Sequence, residues 1–296
     1  MKEHEFINII KNTLNSNYIG DDCAYLKDLG ITISQDNLVE DIHFSLKYTD
    51  AYKLGYKSAM VNISDIAASG AEPKYLTVGL SLPKNIDNEF IKNFYIGMKD
   101  ACKNVEIVGG DITGSNQITI SVTAIGVTKN RKISSRRNAK IGYKIIVSGT
   151  HGSSGGGLKQ LQNNDLHGNF VQTHLMPKAQ IEFSKYISEN ISYDYAMMDS
   201  SDGLIDALSQ IANSSKVRLC IDFNKVPYDK ELEIFPDFKD LIFYGGEDYQ
   251  LVACVPKDFD VPNSFTIGEV KEGIGVEIDG VKIDNHENKL FNHFKE

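Results

Sequence analysis

Six aspartates stand apart from the other acids of this chain. Asp22, Asp36, Asp65, Asp111, Asp199 and Asp202 lie within or at the ends of apolar segments, beside glycine, serine or another acid. Asp65 is the most telling. It belongs to Asn62-Ile63-Ser64-Asp65-Ile66-Ala67-Ala68-Ser69-Gly70, a largely apolar run in which Ile63 and Ile66 flank it. A carboxylate in such company needs a cation, because burying it alone is costly. Taken singly, Asp36, Asp65 and Asp202 also suit helix N-caps or turns. Taken together, the acids suit hard oxygen ligands for Mg²⁺, which commonly links carboxylates to substrate phosphates. The Asp-x-Asp-x-Asp-Gly calcium loop is missing.

Other chemistries find less support. The glycine-rich piece 149–157 could cradle a phosphate on backbone N–H groups. It lacks the Gly-Lys-Ser/Thr ending of a P-loop, and a flexible loop is an equal alternative. His43 and His151 belong to no metal-binding pair, and no credible nucleophile supports a His-based hydrolase. Cys23 follows Asp21 and Asp22, which would raise its pKa and make it a poor nucleophile.

The elements that must position the acids are strands and helices in mixture. Periodicity predicts a short amphipathic helix over 3–14, carrying Phe6, Ile7, Ile10 and Leu14 on one side. A second helix is expected over 52–69 with one buried side, stopped by Gly70 and Pro73, and a third over 87–103. Residues 31–34, 39–44, 75–82 and 118–124 read as extended, with Gly109-Gly110-Asp111 as a turn after 106–108. The basic, serine-rich piece 129–140 is the candidate boundary. Beyond it, strands are expected at 144–148, 195–198 and 250–255, helices at 178–188 and 204–212, and a hairpin at 276–283 turning on Asp279-Gly280. The expected fold class is therefore α/β (α+β) in two domains, 1–135 and 136–296.

Composition bounds the function. The 296 residues carry 41% hydrophobic and 24% charged side chains, as a soluble globular protein does. A net charge of -9 argues against nucleic acid. An acidic protein that handles phosphate needs metal ions between the two. The four cysteines form no disulfide framework, the amino terminus lacks a signal-peptide pattern, and no apolar run reaches membrane-span length. A cytoplasmic setting is expected, with no membrane partner.

These pieces, in order, resemble the thiamine-monophosphate kinases of the aminoimidazole-ribonucleotide-synthetase-like superfamily. The matching motifs are Gly20-Asp21-Asp22-Cys23-Ala24, Asp36-Asn37-Leu38-Val39-Glu40 with His43-Phe44, and Asn62 to Pro73. They continue with Gly109-Gly110-Asp111-Ile112-Thr113, Asp199-Ser200-Ser201-Asp202-Gly203-Leu204 and Gly245-Gly246-Glu247-Asp248-Tyr249. The resemblance implies phosphorylation of thiamine monophosphate to thiamine diphosphate by ATP. It implies several Mg²⁺ ions held by the six aspartates, with Ser34 and Gln35 close by. It implies ATP contacts from Gly110, Asp111, Arg136 and Ser201, and substrate contacts from His43, Glu247 and Phe291. Asp111, Asp202 and Arg136 would carry the catalysis, and the N-terminal domain would form a homodimer.

The chain departs from the family at three places. Gln35 replaces a usual Ser or Thr, Gln180 replaces a frequent Arg, and no glycine precedes Phe291. Because the acceptor would be an ionised phosphate, no general base is required, and direct in-line transfer is expected. The rival readings are another ATP-dependent synthetase of the superfamily and a non-catalytic binder of nucleotide or thiamine phosphate.

Overall fold

The computed structural model describes residues 2–283 and 289. After helix α1 (Lys2–Leu14), the first unit runs β1 (Ala24–Leu26), β2 (Ile31–Val39), α2 (Ala51–Ser69), β3 (Glu72–Leu82), α3 (Asn88–Ala101), β4 (Glu106–Gly114) and β5 (Thr119–Val127). Its five strands form a mixed sheet in the order β1-β2-β5-β3-β4, antiparallel except for the β3–β4 pair joined through α3. Leu76, Val78 and Leu80 of β3 and Ile120, Val122 and Ala124 of β5 face the helices and are buried. Thr77, Gly79, Ser121 and Thr123 alternate with them onto an opposite face that stays partly open.

The second unit contains β6 (Lys144–Val147), α4 (Ser153–Gln162), α5 (Val171–Leu175), α6 (Ile181–Asn190), β7 (Ala196–Asp199) and α7 (Leu204–Ser215). It continues with β8 (Arg218–Ile221), α8 (Phe238–Tyr244), β9 (Leu251–Val255), β10 (Phe265–Lys271), β11 (Gly275–Ile278) and β12 (Val281–Lys282). The sheet order is β12-β11-β8-β10-β6-β9-β7. As expected, Asp279-Gly280 turns the β11–β12 hairpin, and both residues take positive φ.

Helix α2 joins the two units. The sequence predicted one buried side, yet the helix is buried almost all round, including Leu54, Ala59, Ile63 and Ile66. The reason is that it lies between its own sheet and α3 on one side and β7, α5 and α6 on the other. Ala67 and Ala68 pack in one cluster with Ile146, Met197 and Leu251 of the second sheet. The α2–α3 crossing is close enough that a Cβ on Gly55 would stand 1.9 Å from the Phe94 carbonyl oxygen. Asp50 caps the start by accepting from the Lys53 amide, and Gly70, at φ +87°, ends the helix in the left-handed conformation.

Three further expectations change. The apolar side of α1 remains exposed, with Ile10 and Leu14 more than one-third accessible. Residues 41–43 form a turn rather than continuing an extended segment, because the Ile42 and His43 amides donate back to the Val39 carbonyl. Gly109-Gly110-Asp111 lies within edge strand β4 rather than in a turn after it.

Candidate active site along helix α2

One end of the site is an acid cluster. Asp22 comes from the turn after Gly20, Asp65 from the last third of α2 and Asp199 from the end of β7. Each offers a carboxylate oxygen, and the three oxygens lie within 4.8 Å of one another. Local contacts aim them. The Ser64 hydroxyl donates to Asp199 Oδ2 at 2.6 Å, and Ser34 donates to Asp65 Oδ2. Arg136 Nη2 meets Asp22 Oδ1 at 2.7 Å, and a second guanidinium nitrogen of Arg136 donates to Gln210. Asp36, two residues beyond Ser34 on the same face of β2, donates its backbone amide to the Asn62 side-chain oxygen at 3.1 Å.

Electrostatics describes a site short of positive charge. Burial pushes Asp65 well above the ordinary carboxylate range, and Asp36, Asp199 and Asp22 push it further. Burial and the neighbouring Asp22 raise Asp199 to about 8. Asp36 is raised by burial and by Asp22; Asp22 is raised by burial, against the pull of Arg136. Like charges held this close, with one guanidinium among them, suit divalent cations. The all-oxygen donor set fits Mg²⁺. Burial, more than the acids, lifts the Cys23 thiol, which donates to the Asp65 carbonyl, so its exclusion as a nucleophile holds.

The other end of the site is built around Glu247. Its carboxylate lies 2.7 Å from the Lys57 ammonium of α2 and 3.3 Å from His174 Nδ1. His174 is driven down to about 4 by burial and by Lys57, so it is neutral at pH 7 and the contact is no ion pair. Burial would raise Glu247, but Lys57, His174 and His43 bring it below its ordinary value. His43 itself accepts the Val39 amide on Nδ1 at 3.0 Å. Between the two ends, the Glu247 amide donates to the Ser201 carbonyl at 2.6 Å, which ties loop 245–249 to loop 200–203, where Asp202 is exposed.

The sequence-derived residues are thus partly united. Asp22, Asp65 and Asp199 converge, with Ser34, Asp36 and Arg136 beside them, while Ser201, Glu247 and His43 mark the second end. Asp111 does not join them within one chain. Its register runs through Gly79 and Ser121 to Asn37, whereas Asp36 shares its row with Val122 and Val78 on the helix-covered face. Asp111 is therefore exposed on the other face, three strand spacings or ~14 Å across the sheet. Gly110, its neighbour, packs so closely on β3 that a Cβ would meet the Val78 carbonyl oxygen at 1.9 Å. The Gln35 side chain also points to the open face, where Thr123 donates to it. Phe291 lies outside the described residues.

The glycine-rich piece is no flexible loop. Residues from Ser153 onward form α4, and Asp248 accepts the amides of Gly152 and Ser154, filling the helix N-terminus with an internal carboxylate. The phosphate-cradle reading therefore falls. A groove of about 670 Å³ over β8, β10 and β11 is lined by none of the acids of the cluster. Its Lys144, Lys225 and Lys271 are each paired with an acid.

Sequence reasoning missed Lys57, His174, Asn62 and Ser64. The signal for Lys57 was available, since a cation inside the apolar run 54–66 raises the same question as Asp65.

Family models match twice. The N-terminal domain of AIR synthase related protein covers residues 20–128 and its C-terminal domain covers 140–278. Thiamine-monophosphate kinase of Aquifex aeolicus is 36% identical over 99% of this chain and 98% of its own. The chain belongs to the thiamine-monophosphate kinase family. The kinase of Bacillus subtilis is 34% identical over 81% of this chain and 78% of its own. A solved structure, AaThiL complexed with AMPPCP and TMP, superimposes with a TM-score of 0.91 at 35% identity, covering 99% of this chain and 98% of that one. Membership accounts for the two-unit α/β fold. Among the described residues, no helix is long and apolar enough to cross a membrane.

Proposed function

We propose that the cleft along α2 transfers the γ-phosphoryl group of ATP to thiamine monophosphate, giving thiamine diphosphate and ADP. Family membership supports the activity. The observation that carries the chemistry is the convergence of three carboxylates, one buried and two partly so, at the C-terminal half of α2, with a separate polar cluster around Glu247 nearer its N-terminal end. Lys57 and Asp65 are eight residues apart, ~12 Å of helix, a separation suited to an acceptor with a ring at one end and a phosphate at the other.

Asp22, Asp36, Asp65 and Asp199 would hold Mg²⁺, with Asp202 and Ser34 at the margin and Gln35 adjoining through the backbone of β2. Bound there, the ions supply neutralisation of phosphate charge and alignment of the attacking and leaving oxygens. The chain's own part is to orient. Arg136, anchored on Asp22, adds a guanidinium for nucleotide phosphates, with Ser201 assigned to the same ligand from the resemblance. Glu247 and His43 receive the acceptor, and Phe291 is assigned to it from the resemblance alone. The acceptor phosphate is largely ionised at neutral pH and needs no general base.

We further propose a homodimer through the open face of the first sheet. Tyr75 of β3 is 40% accessible on that face, and edge strand β4 leaves Val108 and, on the face of Leu80, Ile112 more than half exposed, a liability that a second copy would cover. In that assembly Asp111 and Gly110 would serve the partner's site. The domain division is proposed at 135/136, between the two sheets, and a cytoplasmic setting follows from the biosynthetic role. The test is phosphorus NMR of the protein with ATP, Mg²⁺ and thiamine monophosphate. Thiamine diphosphate and ADP should appear together and vanish with EDTA. ADP with free phosphate alone would overturn the assignment of the acceptor.

A further inference from the structure

We infer that Lys57 and His174 are positioning residues that fix the Glu247 carboxylate for the acceptor and leave the nucleotide end untouched; this rests on the kinase reading above. Glu247 takes φ +65°, a conformation an L residue holds only when its surroundings enforce it. Three contacts enforce it here. The backbone amide is tied to Ser201, Oε1 meets the Lys57 ammonium at 2.7 Å, and Oε2 lies 3.3 Å from His174 Nδ1. His174 is itself fixed, because the Ser154 hydroxyl is 3.0 Å from the same nitrogen. Ser154 belongs to the turn of α4 that Asp248 caps.

Burial makes the arrangement directional. Lys57 and His174 are each 3% exposed, so neither is an accessible ligand group, while the Glu247 side chain retains 26% exposure. Lys57 comes from the first unit and His174 from the second. The carboxylate is therefore aimed only while the two units are closed on each other. An acceptor with a cationic or amino-bearing ring meets a carboxylate that has already surrendered its freedom, which lowers the cost of binding. The acid cluster lies ~12 Å further along the helix and shares no hydrogen bond with this trio among the described residues.

The test is steady-state kinetics on the full chain with Mg²⁺, varying each substrate in turn. Lys57→Met should raise KM for thiamine monophosphate about tenfold, the scale of one charge-assisted contact. KM for ATP and kcat should stay within about twofold, and Lys57→Arg should recover most of the loss. Glu247→Gln should raise the same KM, and the Lys57→Met, Glu247→Gln pair should cost no more than the worse single variant. Additive losses would mean that Lys57 acts on the acceptor directly and would overturn the inference. A parallel rise in both KM values would reveal a merely structural role and overturn it too. If Lys57→Met does not fold, His174→Asn is read the same way: a selective rise of about threefold supports the inference, and an unchanged acceptor KM sinks it. Wild-type protein that produces no thiamine diphosphate overturns the kinase reading, and this inference with it. A normal wild type with an unmoved Lys57→Met overturns only the inference.

Discussion

The two ends of helix α2 bury ionisable groups in opposite ways. Around Asp65, four carboxylates crowd together with one guanidinium, and every one of them is pushed toward its protonated form. Around Glu247, a carboxylate, an ammonium and a neutral imidazole complete one another, and the acid is held in its ionised form. The first arrangement is short of positive charge, which suits divalent cations. The second is complete without a ligand and contributes to the fold. Burial alone therefore does not tell a site short of positive charge from one already neutralised; the balance of charge inside it does.

The sharpest way to break this comparison is to neutralise one acid at each end. Asp65→Asn should lower kcat/KM by about 10²–10³-fold, the loss expected from removing a preorganised electrostatic group. Yet it should raise the melting temperature in EDTA by roughly 2–4 °C, because about 1 kcal/mol of repulsion disappears. Glu247→Gln should do the reverse to stability. It leaves the Lys57 ammonium buried without its partner at a cost of about 3 kcal/mol, so melting falls by roughly 6–12 °C with or without Mg²⁺. If both variants lose stability alike, the contrast between the ends is wrong.

A second test concerns the shared site. Asp111→Asn and Asp36→Asn should each be inactive, and mixing them under exchange should restore roughly a quarter of wild-type activity, since half the dimers are mixed and each then has one intact site. No recovery in a mixture shown to exchange subunits would confine Asp111 to its own chain.

The pH dependence of Mg²⁺ stabilisation sharpens the first comparison. Asp199 has a folded-state pKa raised to about 8 from an unfolded value near 3.8. The folded metal-free protein thus binds more protons than the unfolded chain between those values. Its stability from this group is complete below the lower pKa and is lost as pH rises through the upper one. The gain in melting temperature on adding Mg²⁺ should accordingly be greater at about pH 8 than at about pH 6. An equal or smaller gain would show that the cluster does not take up the ion. The smallest effect is expected from Ser34→Ala, which loses one hydrogen bond to Asp65. Weakening Mg²⁺ dependence about tenfold is the expected result, read from the Mg²⁺ concentration at half-maximal rate.

Much of the acid end was legible in the sequence because a carboxylate inside an apolar run is expensive, whatever the fold. That argument found Asp65 within a helix and Asp199 at a strand end. It could not say which face of a sheet an acid occupies. Asp36 and Asp111 look alike in sequence, but strand register puts them on opposite faces. Nor could local pattern anticipate that the glycine piece starting at 149 becomes a helix, since the carboxylate that caps it is Asp248, far along the chain. The same distance hid His174 and, for Lys57, the identity of its partner, Glu247. Alternation and turn chemistry, being local, correctly placed the Asp279-Gly280 hairpin and the Gly70 stop of α2.

Helix α2 carries both the ammonium that fixes the acceptor end and a carboxylate of the transfer end on one rigid rod, clamped by α3 at Gly55 and capped at both termini. Such a rod works as a ruler. A substrate whose ring is seated at Glu247 delivers its phosphate to the acids only if its length matches. On the seating proposed above, thiamine diphosphate, one phosphoryl group longer, would overshoot the mark, so the geometry proposed for the first transfer would disfavour a second.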